Sequence, residues 1–366
     1  MASLVTLSDQ EINQLQLPPA PHPRPGVPII WHQNGRRYEG HLIGHRYDGR
    51  PTVLHQDGMY SDDLMSFDQL RARDPFAQQP PNWKKLPTAG KIIRPSAPIV
   101  DTLDALLQST FPSGRTYFEV ADEIWKRGYE IFLVGGTVRD VLAGLKPNDI
   151  DFITTMPLKT LISVVEAVCR YPRKQATESA MKHGHIRLGG TPGSKDPFAD
   201  ISVFKFNSTG SVNTVFGADF ERDMIHRDFT CNAIYYDPLN RTLIDPFGSG
   251  VSDTQARLLR PVFDIGNRPR NEFAKIVIRT FKFTSRGYAI EGTYQAYIVE
   301  HCSAILQSLG QYERLSYIRT QLLSKHPRDK HDEIIAAYKS EFSRFGLIDA
   351  WNALVEPLLA QIRGPS

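Results

Sequence analysis

A chain of 366 residues, 41% hydrophobic and 23% charged, has room for two or three domains and the composition of a soluble globular protein. No apolar run approaches the roughly 20 residues of a membrane-spanning helix, and Cys169, Cys231 and Cys302 lie far apart in no metal-binding spacing, which argues against a disulfide framework or a cysteine zinc site. A net charge of +3 does not mark a nucleic-acid binder, yet residues 255–330 hold 13 Lys and Arg against 6 Asp and Glu. That surplus reads either as a solvated helical surface or as a face for an RNA backbone. The opening MASLVTLSDQEINQ lacks the basic start and apolar core of a secretory signal, so the expected location is cytoplasmic, unless machinery reading other signals exports the protein.

In chain order, residues 1–26 end in PPAPHPRPG and read as a disordered Pro-rich tail, either a tether or a tail without function. Residues 27–73 change to short alternating runs with hairpin signals at Asn34-Gly35 and Asp57-Gly58. Trp31, Tyr38, Leu42, Val53, Leu54, Met65 and Phe67 would fill a small SH3 or Tudor-like β module. Such a module is either an interaction domain for RNA or protein or a structural cap. Residues 74–100, rich in proline and without periodicity, read as a linker. Helical patterns follow at Leu103 to Leu107 and at Thr116 to Arg127, where Phe118, Val120, Ala121, Ile124 and Trp125 fall at core spacing.

The chemistry concentrates in Ile131 to Thr155, IFLVGGTVRDVLAGLKPNDIDFITT. A four-residue apolar strand, Ile131 to Val134, runs into Gly135 and Gly136, and a short helix from Thr137 to Leu145 follows. Paired glycines at such a turn let backbone N–H groups approach an anion, a seat for phosphate. After Lys146-Pro147-Asn148, a second strand puts Asp149 and Asp151 on one face and Ile150 and Phe152 on the other. Two neighbouring carboxylates repel unless a cation sits between them, and magnesium suits one or two carboxylates plus phosphate oxygens. A phosphate seat beside a metal pair points to phosphoryl or nucleotidyl transfer.

Downstream, Leu158 to Arg170 reads as an amphipathic helix, Lys182 to Leu188 leads into a strand, and Pro197 to Phe206 gives another with Ala199, Ile201 and Val203 on one face and Asp200 on the other. Asn207 to Gly217 is a polar loop. A second block, His226-Arg227-Asp228-Phe229-Thr230-Cys231-Asn232-Ala233, joins a cation, a carboxylate and an amide, with Phe229 and Ala233 expected in the core. Taken alone, Arg227-Asp228 is more often an ion pair at a helix start than a ligand site. Leu243 to Gly248 forms a third block, the stretches Asp253 to Pro261 and Arg270 to Arg286 follow it, and Ile334 to Phe342 and Leu347 to Leu359 read as helices that finish the chain.

Leu133 to Asp140 with Asp149-x-Asp151, the block from His226 to Ala233 and the Ile244-Asp245-Pro246-Phe247-Gly248 turn together resemble the tRNA CCA-adding enzyme and bacterial poly(A) polymerase family, whose signature is Leu-Val-Gly-Gly-x-Val-Arg-Asp followed by Asp-x-Asp. The resemblance covers roughly Leu103 to Leu323 and is strongest over the head. It implies an α+β fold: a palm-type nucleotidyltransferase head of mixed sheet and helices at 101–253, then an all-helical neck and short body at 254–366. It implies a metal-dependent, template-independent transferase that adds nucleotide from ATP or CTP to an RNA 3′ end, that of tRNA foremost. Asp149, Asp151 and Asp200 would be the catalytic and metal carboxylates for two Mg2+ ions, with Asp196 a competitor for the third place. Gly135, Gly136, Arg139 and Asp140 would seat the triphosphate, Arg227, Asp228 and Asn232 the ribose and base, and Arg279 and Lys282 the phosphates from the neck. Where the family's neck carries Glu-Asp-x-x-Arg to read the base, this chain has Glu272 and Lys275 at i,i+3 instead, either a donor and acceptor for a base or a surface ion pair. Gln311 to Leu315 resembles the helix that closes the neck, and the resemblance implies a body and tail that are reduced or missing relative to the family's. The altered base-reading helix implies a single-nucleotide or homopolymer-adding relative, a toxin or effector acting on tRNA or a protein, or, from another class, a non-enzymatic RNA-binding scaffold.

Overall fold

The computed structural model describes residues 4–19, 23, 27–46, 50–58, 60–61, 69–73, 82–84, 86–110, 113–147, 149–169, 184–188, 199–204, 220–263, 270–323 and 326–363. Met65, Phe67, Asn148, Lys182, His183, Asp196, the 207–217 loop and residues 74–81 lie outside them. The chain divides into two compact units, residues 1–227 with 232–251, and residues 228–231 with 252–366.

The first unit opens with β1 (Val5–Thr6) and α1 (Asp9–Gln14), where the Ser8 hydroxyl and the Glu11 carboxylate cap each other's backbone N–H. A five-stranded antiparallel sheet follows: β2 (Pro28–Gln33), β3 (Arg36–His45), β4 (Pro51–His55), β5 (Tyr60–Ser61) and β6 (Leu70–Ala72), in the order β5-β4-β3-β2-β6. Asn34 and Gly35, both at positive φ, make the two-residue turn between β2 and β3 that Asn-Gly foretells. Trp31, Leu42 and Val53 form its core with Ile29 and Leu70, Tyr38 packs against them, and Leu54 is half-buried. Among the described residues the edge strands β5 and β6 do not pair with each other, so closure into a barrel is not part of the recorded pairing.

The main sheet is built from β1, β7 (Lys91–Arg94), β8 (Ile131–Val134), β9 (Ile150–Thr154), β10 (His185–Leu188), β11 (Ala199–Val203), β12 (Tyr235–Asp237) and β13 (Thr242–Asp245). Its order is β1-β7-β13-β12-β8-β9-β11-β10; only β9 and β11 run parallel. Four helices, α2 (Ala97–Leu107), α3 (Tyr117–Lys126), α4 (Gly136–Leu142) and α5 (Leu158–Cys169), pack on the face that carries Leu133, Phe152 and Ile201. The opposite face carries Phe132, Val134, Ile153 and Tyr235, with Phe204, Phe220 and Trp83 stacked on them. Mixed sheet and helices match the expected head.

Its limits differ from the expectation. The disordered tail and the linker both contribute structure: β1 pairs with β7, Leu7 is buried, and Ile12, Leu15 and Leu17 cover the second face. Trp83 is fully buried and donates its Nε1–H to Glu130 at 3.2 Å. Two-residue strands and isolated apolar anchors leave no periodicity to read.

Among its described residues the second unit is mainly helical, with a short parallel pair, Leu258–Leu259 with Ala289–Ile290. Helices Arg270–Thr284, Gly292–Gln307, Gln311–Ile318, His331–Arg344, Ile348–Leu354 and Glu356–Arg363 enclose one core in which Phe281 stacks on Phe342 at 3.8 Å and Trp351 is fully buried. The stretch expected as one helix from Leu347 to Leu359 is two, because Pro357 lacks an N–H and suits only a helix's first turn.

Candidate active site

β8 is buried along its whole length and ends at Gly135, whose φ of 63° and ψ of −128° suit only glycine, before α4 begins at Gly136. A Cβ on Gly136 would lie 3.3 Å from the Asp151 Oδ2, and one on Gly135 would lie 3.5 Å from the same oxygen. The Asp151 carboxylate therefore faces the bare turn. Thr137, fully buried at the start of α4, fixes this arrangement: its hydroxyl accepts from the Asp151 N–H at 2.7 Å and donates to the Asp149 carbonyl at 3.1 Å. Sequence reasoning passed over Thr137, although a hydroxyl one residue past the glycines was a visible signal.

In the parallel pairing of β9 and β11, Asp200 stands directly opposite Asp151, and the alternation that buries Ala199, Ile201 and Val203 turns it to the same face. On its other side Arg187 of β10 is its cross-strand partner and grips it with two bonds, Nε to Oδ1 at 2.9 Å and Nη2 to Oδ2 at 3.0 Å. The hydrogen bond to Asp200 pushes the Arg187 guanidinium above its usual pKa; partial desolvation opposes this, and the charges of Asp200, Asp149 and Asp151 reinforce it. Three His, Cys, Asp or Glu side chains placed to hold one metal do not occur among the described residues. Asp149 and Asp151, two residues apart on the strand beside the glycine turn, have the hard oxygen donors and the carboxylate number that suit magnesium.

The cation, carboxylate and amide of the second block separate. Asn232 accepts from the Arg139 Nη1 at 2.6 Å, and Arg139 also donates to the Asp140 Oδ1 from Nε at 2.9 Å and Nη2 at 2.7 Å, so these three predicted residues form one network in which Arg139 and Asn232 are buried and Asp140 is half-buried. Arg227 turns elsewhere: it pairs with Asp223 at 2.9 Å, donates to the Tyr235 hydroxyl at 3.3 Å and stacks over that ring at 5.2 Å. Burial opposes its charge, but Asp223 and Tyr235 outweigh burial and hold it firmly protonated. The expected ribose ligand is thus an internal ion pair of the first unit, and its partner four residues upstream was legible only as an i,i+4 spacing.

Within the second unit, Asp228 and Arg279 meet at 2.9 Å, and the Asp228 Oδ1 also accepts from the Phe229 N–H. Tyr317, which sequence reasoning missed, lies against both; burial pushes its phenol up, and the Arg279 charge pulls it back. Glu272 and Lys275 do not form the expected i,i+3 pair. Lys275 reaches Glu313 at 2.7 Å, because the helix Gln311–Ile318 presents a carboxylate to it. Lys282 stands near enough to His326 to help, after burial and Arg286, in holding that imidazole below its usual pKa.

Residues 131–260 match the family model described as the poly A polymerase head domain. The chain is 27% identical over 187 residues to poly(A) polymerase I of Haemophilus influenzae, covering 47% of this chain and 38% of that protein. To the CCA-adding enzyme of Geobacillus kaustophilus it is 29% identical over 206 residues, 55% of this chain and 47% of the other. It thus spans less than half the length of these relatives. A solved structure, the Bacillus stearothermophilus CCA-adding enzyme in complex with CTP, aligns over 69% of each chain at 21% identity with a TM-score of 0.46.

Proposed function

We propose, from the premise that residues 131–260 make this chain a member of the family of poly(A) polymerases and CCA-adding enzymes, that it is an RNA nucleotidyltransferase. It adds nucleotide from a nucleoside triphosphate to an RNA 3′ end without a template, tRNA being the acceptor we favour, and releases pyrophosphate. The observation that carries the reading is the Asp151 carboxylate lying against the Gly135-Gly136 turn. A triphosphate seated on the bare N–H groups would bring its oxygens beside this carboxylate, where a divalent cation would offset the charge of both.

In this reading Gly135 and Gly136 let backbone N–H groups reach the phosphates, and Thr137 keeps the acidic strand at a fixed distance from them. Asp149 and Asp151 would hold magnesium, which when bound lowers the pKa of the 3′-hydroxyl and offsets charge on the triphosphate and leaving pyrophosphate. Arg139 locks α4 to Asn232 and keeps the turn from drifting. Asp228 would accept from a ribose hydroxyl while keeping its pair with Arg279, and Arg279 and Lys282 would add positive charge toward anionic substrate. Positioning and charge carry such transfers, with little covalent work for the protein.

The test is to incubate the protein with each labelled nucleoside triphosphate, magnesium, total tRNA and a protein extract. Label in RNA supports the proposal, label in a polypeptide replaces it with a protein-modifying transferase, and no label leaves an RNA-binding scaffold. Asp149→Asn with Asp151→Asn should reduce incorporation about 10³-fold; unchanged incorporation would sink the proposal.

A further inference from the structure

Asp151, Asp200 and Arg187 form a lateral row across three adjacent strands, β9, β11 and β10, each directly opposite the next in register. Neighbouring strands lie about 4.8 Å apart, so the row sets two carboxylates and one guanidinium side by side on one face. Arg187 meets Asp200 with both prongs of its fork, the geometry that satisfies both oxygens of one carboxylate.

We propose that Arg187 is a built-in counter-cation of the acidic row: it sequesters Asp200, so that the head's divalent-ion site consists of Asp149 and Asp151 alone. Arg187 is a positioning residue in this scheme, acting through Asp200. The inference rests on the nucleotidyltransferase reading of the Asp149–Asp151 pair and goes beyond it by removing the third carboxylate from the ligand set. The electrostatic reach of Arg187 to Asp149 and Asp151 adds a second consequence, since a fixed positive charge beside the pair weakens its hold on a free cation. Arg187 is more than half exposed, so losing the pair threatens the fold little.

The experiment is Mn2+ binding to the full chain without nucleotide, followed by loss of the free-ion EPR signal, with thermal melting as the folding control. Asp151→Asn should weaken Mn2+ binding by about tenfold or more. Arg187→Gln, which frees Asp200, should tighten it by about tenfold. The double variant Arg187→Gln with Asp200→Asn replaces a neutral ion pair by a neutral amide pair and should bind within about twofold of the parent. The inference is overturned if the double variant falls to the level of Asp151→Asn, or if Arg187→Gln binds no more tightly than the parent. Should the parent itself show no Mn2+ site sensitive to Asp151→Asn, the metal reading of the pair fails, and this inference with it.

Discussion

The hydroxyl of Thr137 makes one buried oxygen responsible for where the acidic strand begins, since it holds the Asp149 carbonyl and the Asp151 N–H together. Thr137→Val keeps the shape and removes both bonds, leaving a buried donor and acceptor unmade at a loss of about 1–3 kcal/mol each. Incorporation should fall by about 10²-fold if the carboxylate drifts by about 1 Å, and Thr137→Ser should restore it; single-turnover assays with parallel melts measure both. The two glycines separate backbone from site. Gly135→Ala strains a positive-φ residue and should lower stability by about 1–2 kcal/mol. Gly136→Ala leaves the backbone at ease but crowds the Asp151 Oδ2 at 3.3 Å, so it should reduce incorporation at nearly constant melting temperature. At this scale the glycine turn and the two aspartates were legible, because both are local patterns. The partners of Arg139, Arg187 and Arg227 were not: which carboxylate or amide a guanidinium meets depends on strand register and on residues up to 93 positions away.

Single strands and helices explain why the segment before the head looked dispensable. β1 contributes only two residues, yet it covers the edge of β7, while α1 and Leu17 lay apolar side chains over the face that holds Trp83 and Phe132. Removing residues 1–17 should expose that edge and the Leu7 pocket and lower stability by at least about 2 kcal/mol, read as a lower urea midpoint with faster exchange of the β7 amides. Elements with strong internal pattern were readable in place: Thr116 and Glu119 form the capping box that starts α3, and Ile131–Val134 is the strand expected there. The short strands were hidden, since a two-residue strand exists only through its neighbour.

At the scale of the whole molecule each unit has an apolar core of its own, that of the second built, among the described residues, around Phe281, Phe342 and Trp351. Trp351→Ala should therefore destabilise the second unit by about 3–5 kcal/mol. Cys302, buried in that core with its thiol pushed up to about 12, is a natural reporter: it should resist alkylation in the parent and label readily in the variant, as counted by mass spectrometry. Amide exchange in β8 and β9 of the first unit should stay slow in the same sample.

The division of the chain also decides how the protein can be cut. Asp228–Cys231 belongs to the second unit although the first unit flanks it on both sides, and Phe229 packs there against Phe283 and Tyr294. Scissors applied after Val251 would carry this short insert away with the wrong half, its ring stripped of company and turned to water. Such a fragment would clump for reasons unrelated to its chemistry, and a workable excision must first exchange Phe229 for a polar residue.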